Sequence, residues 1–123
     1  MPPCLVDPDR SASFRALLNS LRKRFPHLVD DLAEIWPKIA TDYRNACGAE
    51  SIPTFNDTVF KYRCKSTDLR KGAANAFRVI AYLHATNNTL YPLFLYYKGD
   101  LANLGAKAIA GLVKEFVDSL DLS

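Results

Sequence analysis

Three cationic side chains alternate along one short segment of the sequence. Lys61, Arg63 and Lys65 occupy every second position, and the residues between them are apolar. A period of two is the repeat of a β-strand, so a strand over 59–65 is predicted to carry the three cations on one face, about 7 Å apart. Like charges at that spacing repel unless an anion lies between them, and phosphate is such an anion. The pattern is typical either of a polyanion-binding face or of a solvated sheet surface.

A fourth cation, Arg78, favours the first of these interpretations. It stands between Phe77 and Val79 in a segment, 77–84, that is apolar at nearly every position and is predicted to be a central strand buried on both faces. An unpaired guanidinium is costly in such surroundings, so Arg78 requires an anion or a carboxylate partner. We therefore expect these cations to form a phosphate-binding cluster.

The charge of the chain is concentrated in the same region. The net charge of +3 identifies no ligand by itself. Between Phe60 and Arg78, however, there are six cations and one acid, whereas the rest of the chain has ten cations and twelve acids. This distribution predicts a local polyanion site rather than a generally basic surface, and it adds Arg70 and Lys71 as candidate substrate contacts.

Other kinds of catalytic site have little support. The glycine-rich nucleotide loops, the zinc-protease motif and the serine-nucleophile motif are absent from the sequence. Neither His27 nor His84 stands beside a second candidate ligand, so we expect no metal and no cofactor. The cysteines Cys4, Cys47 and Cys64 are widely spaced and odd in number, which indicates reduced thiols packed as small apolar groups.

Amphipathic helices are predicted on both sides of the cationic region. Apolar residues recur at helical spacing over 14–25 and 28–48, with Ser11 or Ser13 as the first N-cap, and Pro37 should kink or split the second helix. A third helix is predicted over 106–120.

The strands complete an α+β fold. Segments 59–65, 77–84 and 90–97 predict a three-stranded antiparallel meander, and 4–6 is a possible extra edge strand. We expect one domain over residues 1–123, in which a small antiparallel sheet of three to four strands packs against an N-terminal helical hairpin and a C-terminal helix. The longest apolar stretch, 89–97, is far shorter than the roughly 20 residues that span a bilayer, so a cytoplasmic protein without membrane contact is expected.

Three segments, in this order, resemble the RelE/ParE toxin superfamily and, within it, the RelE- and HigB-like ribonuclease branches. They are VFKYRCKS (59–66), KGAANAFRVIAYLH (71–84) and LYPLFLYYKGD (90–100). The family pattern has a strand of alternating basic residues, a glycine-containing segment leading to an aromatic-Arg-Val-Ile-x-Tyr strand, and an aliphatic strand that ends in a Tyr/Ser-Lys element. The resemblance extends over about 13–120 of the chain.

This resemblance implies a metal-independent endoribonuclease that cuts mRNA on the ribosome and that a cognate antitoxin protein holds inactive. The implied reaction is attack of a ribose 2′-OH on the adjacent phosphate. By position in the family pattern, the implied catalytic residues are Lys61, Arg63, Arg78 and Lys98. The candidate substrate contacts are Lys65, Arg70, Lys71, Tyr97 and His84.

The roles follow from side-chain chemistry. Arginine stays protonated, so Arg63 and Arg78 suit neutralisation of the pentavalent phosphate. Lys61, crowded by both arginines, is the better candidate for the base. No general acid is identified, and three residues are substitutes by position alone: Tyr97, Tyr82 and His84.

Two other functions stay open. The chain departs from the family at Gly72-Ala73-Ala74-Asn75, at Gly99 and in its last residues, which lack a tyrosine or histidine. A ParE-like inhibitor of DNA gyrase would need a protein-binding surface and no catalytic cations. A catalytically inactive RNA- or protein-binding module would keep the fold and lack the chemistry.

Overall fold

The computed structural model describes residues 3–70 and 73–121 of the chain. Helix α1 (Ala12–Leu21) begins after Ser11, whose hydroxyl accepts a hydrogen bond from the Phe14 N–H and caps the helix. The helix is shorter than predicted, because the chain turns after Leu21 and packs the Phe25 ring edge-on against Phe77 of the sheet.

Helix α2 (Leu28–Thr41) is also shorter than the sequence predicts. Pro37 lies inside the helix without splitting it, and the carbonyl that loses its N–H partner, that of Ala33, belongs to an exposed residue that water can reach. The predicted continuation to Gly48 is wrong, since the chain leaves the helix at Asp42 and forms a separate 3-10 turn at Ala46–Gly48.

Five strands form one sheet in the order β1-β5-β4-β3-β2. The central strands β3 (Val59–Cys64), β4 (Phe77–His84) and β5 (Thr89–Tyr97) form the predicted antiparallel meander. The edge strands have two residues each: β1 (Leu5–Val6) runs parallel to β5, and β2 (Glu50–Ser51) runs antiparallel to β3. The sequence analysis anticipated β1 but not β2, which is too short to show a period.

A bulge interrupts the pairing of β4 and β5. Ile80 pairs with Phe94 and Ala81 with Pro92, so Leu93 is the extra residue on β5. The Leu93 carbonyl instead accepts a hydrogen bond of 2.9 Å from the Ser13 hydroxyl of α1. This arrangement accommodates Pro92, which has no N–H to give to the ladder.

The sheet is covered by apolar residues on both faces. Side chains that face α1 and α2 come from β3 and β4; they are Phe60, Tyr62, Cys64, Phe77 and Val79. On the other face, Val59, Ile80 and Tyr96 pack with Ile109 of helix α3 (Ala106–Asp121). Lys61 and Arg63 alternate with Phe60, Tyr62 and Cys64, as predicted. They therefore lie on the other face of the sheet, the one that packs against α3.

Two further predictions concern the cysteines and the membrane. Cys4 and Cys64 are buried, Cys47 is half-buried, and all three are free thiols, in agreement with the sequence analysis. No described helix combines the length and the apolar composition that a membrane crossing requires.

Candidate active site

Three cations lie on one face of the central strands and are called here the cation row: Lys61, Arg63 and Arg78. In the register of the sheet, Arg63 is directly opposite Arg78, and Arg78 is directly opposite Tyr96 on β5. Like charges in directly opposed positions destabilise a sheet. The opposition of the two arginines therefore does not contribute to the stability of the sheet.

Arg78 is buried to an unusual degree for an arginine, with 6% of its surface exposed. Its Nη1 donates to the carbonyls of Asn75, at 2.8 Å, and Phe77, at 3.3 Å. No carboxylate in 3–70 or 73–121 lies within ion-pair distance of it. The expected anionic partner is thus replaced by two neutral carbonyls, which leave the positive charge uncompensated.

The remaining N–H groups of Arg78 make no hydrogen bond to a described residue. Among the described residues, Ser66 Oγ is the one fully buried side-chain polar atom without a hydrogen-bond partner. Nε and Nη2 of Arg78 have no partner, so they are not fully buried. A guanidinium held by its Nη1 and open at its other nitrogens can bind a phosphate oxygen.

Glu50 on β2 supplies a carboxylate to the row. It pairs with Lys61 across the strands, and its two oxygens lie 3.6 Å from Lys61 Nζ and 3.5 Å from Arg63 Nη2. One carboxylate against three cations leaves an excess of positive charge at this face. Glu50 was not predicted from the sequence, because a strand of two residues gives no signal that this glutamate stands beside Lys61.

Tyr96 is the hydroxyl-bearing residue that faces the row. It is 5% exposed, its hydroxyl makes no hydrogen bond, and that hydroxyl is not fully buried, by the same criterion as for Arg78. Burial raises the pKa of Tyr96, the nearby charge of Arg78 lowers it, and Glu50 raises it. The net increase keeps the phenol protonated at neutral pH, so Tyr96 has a proton to donate.

Tyr97, the tyrosine that the sequence analysis selected, lies on the opposite face. Its ring packs against Phe25 and Phe77 at 5.0 and 5.9 Å between centroids, and the Arg24 guanidinium lies 5.5 Å from the ring centroid. Successive strand residues point to opposite sides, so Tyr97 belongs to the helix-facing core. The structure therefore places Tyr97, a predicted substrate contact, on the face of the sheet opposite to the cation row.

His84 and Tyr82 are at the far end of β4. The Tyr82 hydroxyl and His84 Nδ1 lie 3.1 Å apart, and the Tyr82 ring packs edge-on against Phe116 of α3. Six residues of strand, roughly 20 Å, separate His84 from Arg78. Neither residue is brought to the row, so their suggested parts in substrate contact and proton donation are not supported by the geometry.

The other predicted cations surround the row without joining it. Lys65 follows β3 and forms an ion pair of 3.2 Å with Glu34 of α2. Arg70 is exposed in the loop between β3 and β4, and Lys71 lies outside the described residues. Lys98 is exposed, and its N–H donates to the Ala76 carbonyl at 2.8 Å, so its backbone lies at the Arg78 end of the sheet.

The chemistry available here is that of fixed positive charge with a nearby phenol. In 3–70 and 73–121, no three His, Cys, Asp or Glu side chains converge as metal ligands. The arginines of the row can bind and neutralise an anion, Lys61 can exchange a proton, and Tyr96 can donate one.

The order of the elements and the topology of the sheet identify the class of the protein, which is an α+β protein with the RelE-like fold. Among solved structures, the chain is similar to E. coli toxin RelE, in the free state of a mutant with two arginine-to-alanine substitutions. The TM-score is 0.53 at 12% sequence identity, over 92% of this chain and 97% of that chain. No protein-family model matches the sequence, and no curated protein matches it either. At this identity the similarity establishes the fold alone.

Proposed function

We propose that the protein is the toxin of a toxin-antitoxin pair, a metal-independent endoribonuclease that cleaves mRNA on the ribosome until a cognate antitoxin protein inhibits it. The observation that carries this proposal is the cation row: two opposed arginines and a lysine on one sheet face, with Arg78 buried and without a carboxylate partner among the described residues. The RelE-like fold supports the proposal, since the similar structure is that of a toxin.

In the proposed reaction, the ribose 2′-oxygen attacks the adjacent phosphorus while the bond from phosphorus to the 5′-oxygen breaks. The products are a 2′,3′-cyclic phosphate and a 5′-hydroxyl. Arg63 and Arg78 bind the non-bridging oxygens and neutralise the charge that develops on them, which is the largest single contribution expected of such a site. The reaction needs no metal, because the guanidinium groups supply the positive charge.

Two protons must move in this reaction. Lys61 is the proposed acceptor of the 2′-OH proton and acts as the neutral amine, after its ammonium has released a proton to solvent; an arginine cannot reach the corresponding neutral form. Tyr96, which lies directly opposite Arg78 in the sheet, is the proposed donor to the departing 5′-oxygen. Lys98 stays a candidate for phosphate contact, because its backbone lies at the Arg78 end of the sheet.

The proposal is tested in a reconstituted translation system with a defined mRNA, in which primer extension maps the cuts. We expect cleavage of translated RNA, and we expect Lys61→Ala and Arg78→Lys to reduce its rate about 100-fold each. Lys107→Ala, at an exposed position on α3, is the matched control and should cleave normally. Thermal melts of each variant separate loss of function from loss of folding.

The outcomes separate the alternatives. Cleavage at the full rate by the Lys61→Ala, Arg78→Ala double variant would refute the site. DNA breaks in the presence of gyrase, with RNA intact, would instead identify a gyrase inhibitor. Intact RNA and intact DNA would identify a binding module without catalysis.

A further inference from the structure

A cleft opens beside the cation row, between α2 and the end of β3, with a volume of about 360 Å³. Three of its lining side chains are cationic: Lys38 from α2, and Arg63 and Lys65 from β3 and the residue that follows it. Glu34 is the one acidic side chain among the lining residues. The cleft is therefore a second concentration of positive charge, formed by a helix that the cation row does not involve.

Arg63 belongs to both the row and the cleft, and Gly48 makes this possible. Gly48 has a φ of +64°, and a Cβ at this position would lie 2.8 Å from Arg63 Cδ. The stem of Arg63 thus lies directly against the backbone of the 3-10 turn, where any other residue would displace it. The guanidinium at the end of this stem connects the two cationic regions.

The positive charges of the cleft are only partly compensated. Glu34 pairs with Lys65 at 3.2 Å, and Glu50 lies 3.5 Å from Arg63 at its other side. Lys38 has no carboxylate within ion-pair distance in the described part of the chain, although Glu34 stands one helical turn before it. Burial raises the pKa of the Cys47 thiol, and the charge of Lys38, which also lines the cleft, lowers it by a smaller amount.

We infer that this cleft is a second phosphate-binding subsite, which holds a backbone phosphate flanking the one that is cleaved in single-stranded RNA. The choice of RNA as the ligand rests on the proposed function. Because Arg63 contributes to both regions, the phosphate in the cleft is a neighbour of the scissile one along the strand. Lys38 is the residue that is specific to the subsite.

The test measures binding of RNA that cannot be cleaved. Fluorescently labelled 2′-O-methyl oligonucleotides, one a dinucleotide with a single phosphate and one a hexanucleotide, are titrated with Lys38→Gln over a range of salt concentrations. For the hexanucleotide, we expect binding at low salt to weaken roughly 5-fold. The slope of log K against log salt should fall by about 0.7, the value for one lost phosphate contact on a single strand.

The dinucleotide and two further variants test whether the effect of Lys38→Gln is specific to the cleft. Dinucleotide binding should be unchanged in Lys38→Gln, because one phosphate occupies the row. Lys107→Gln removes one exposed charge elsewhere and should leave the salt slope for the hexanucleotide unchanged. Lys38→Arg keeps the positive charge in the cleft and should restore the slope that Lys38→Gln loses. Equal slopes for the Lys38→Gln and Lys107→Gln variants, or equal weakening of both oligonucleotides by Lys38→Gln, would overturn the subsite.

Failure of the subsite is distinguishable from failure of the proposed function. If translated mRNA is cut but Lys38→Gln binds RNA as the control does, only the subsite is refuted. If the slope falls as expected and no RNA is cut, the subsite stands and the enzymatic proposal fails.

Discussion

Tyr96 and Tyr97 are adjacent in β5, and the alternation of the strand gives them different surroundings. Tyr96 is opposite Arg78 on the face of the cation row, whereas Tyr97 packs among the aromatic rings beneath the helices. The buried phenol of Tyr96, with its raised pKa, stays protonated and therefore uncharged over the neutral range. Its place beside Arg78 is the reason to assign it the proton that the leaving oxygen needs.

Replacing the Tyr96 hydroxyl tests this role. Tyr96→Phe keeps the ring and removes the proton, so we expect RNA cleavage to fall about 100-fold while RNA binding is retained. Tyr97→Phe is the matched control, since it makes the same chemical change one residue away, and it should cleave at the normal rate. Single-turnover cleavage rates of the two variants give the comparison; equal effects would contradict the assignment.

Glu50 offers a second test, because it is a potential proton acceptor beside the proposed one. Glu50→Gln removes a negative charge that competes with RNA for Lys61 and Arg63. Attraction at this distance is worth about 1 kcal/mol in water, so RNA binding should tighten roughly 5-fold at low salt. Glu115→Gln on α3 is the control.

The cleavage rate of the Glu50→Gln variant then identifies the base. If Lys61 accepts the proton, the rate should be maintained. A rate reduced 100-fold despite tighter binding would instead assign the proton acceptor to Glu50.

At the scale of elements, the loop between β3 and β4 is fixed at its start by α2. The buried Asp31 accepts hydrogen bonds from the backbone N–H and the hydroxyl of Thr67, and Asp68 accepts from the backbone N–H of His27. His27 Nδ1 lies 2.7 Å from the Asp68 carboxylate. The end of the same loop supplies the Asn75 carbonyl that accepts a hydrogen bond from Arg78.

The contact between His27 and Asp68 makes the stability of this anchor depend on pH. The hydrogen bond to Asp68 raises the pKa of His27 above its ordinary 6.5, and the same bond lowers the pKa of Asp68 below 3.8. The His27 contribution is complete below pH 6.5 and is lost as pH rises through the raised value. The Asp68 contribution is present above pH 3.8 and is lost as pH falls through the lowered value.

We therefore expect the difference in Tm between the unchanged chain and His27→Gln to be greatest near pH 5 to 6 and to shrink above pH 7. Asp68→Asn should remove the same pH dependence, and the double variant should lose no more of it than either single variant. Thermal unfolding from pH 4 to 8 provides the measurement. A difference that is constant over this range would contradict a titrating contact.

The elements that the sequence predicts well are those with a sustained pattern. Strand β3 alternates, helix α3 repeats at helical spacing, and β4 and β5 are apolar runs; all four are predicted to within one residue at each end. The two-residue strand β2 has no period, and Glu50 was missed with it. The end of α2 was missed because hydrophobic spacing continues past Thr41 into a turn that packs against the same core.

At the scale of the molecule, the sheet separates two environments. One face is buried under the two N-terminal helices, and the other combines the apolar contact with α3 and the cation row. On β3 and β4, the cations identify one face of the sheet, and the alternation of side chains along each strand then assigns the other residues to a face. On β5 both faces are apolar, so the sequence did not show which tyrosine faces Arg78; only the register of the strands supplies that answer.

The fold itself tolerates wide divergence. The likeness to the RelE structure extends over nearly the whole chain at 12% identity, so the two share the fold and few identical side chains. Within that frame, the opposition of Arg63 and Arg78 depends on a register that sequence patterns leave open. The cations were therefore predictable as a group, and their pairing with Glu50 and Tyr96 was not.

Cys64, buried at the end of β3, can be used to detect separation of the sheet from α2. Burial, with a smaller effect of Asp31, raises the pKa of its thiol to about 12, so at neutral pH almost no thiolate is present in the folded chain. A thiol-reactive reagent can modify Cys64 only in molecules whose sheet has separated from α2. Because Cys4 and the half-buried Cys47 are free thiols as well, the labelling rate measured at Cys64 itself reports how often the interface beneath the cation row opens.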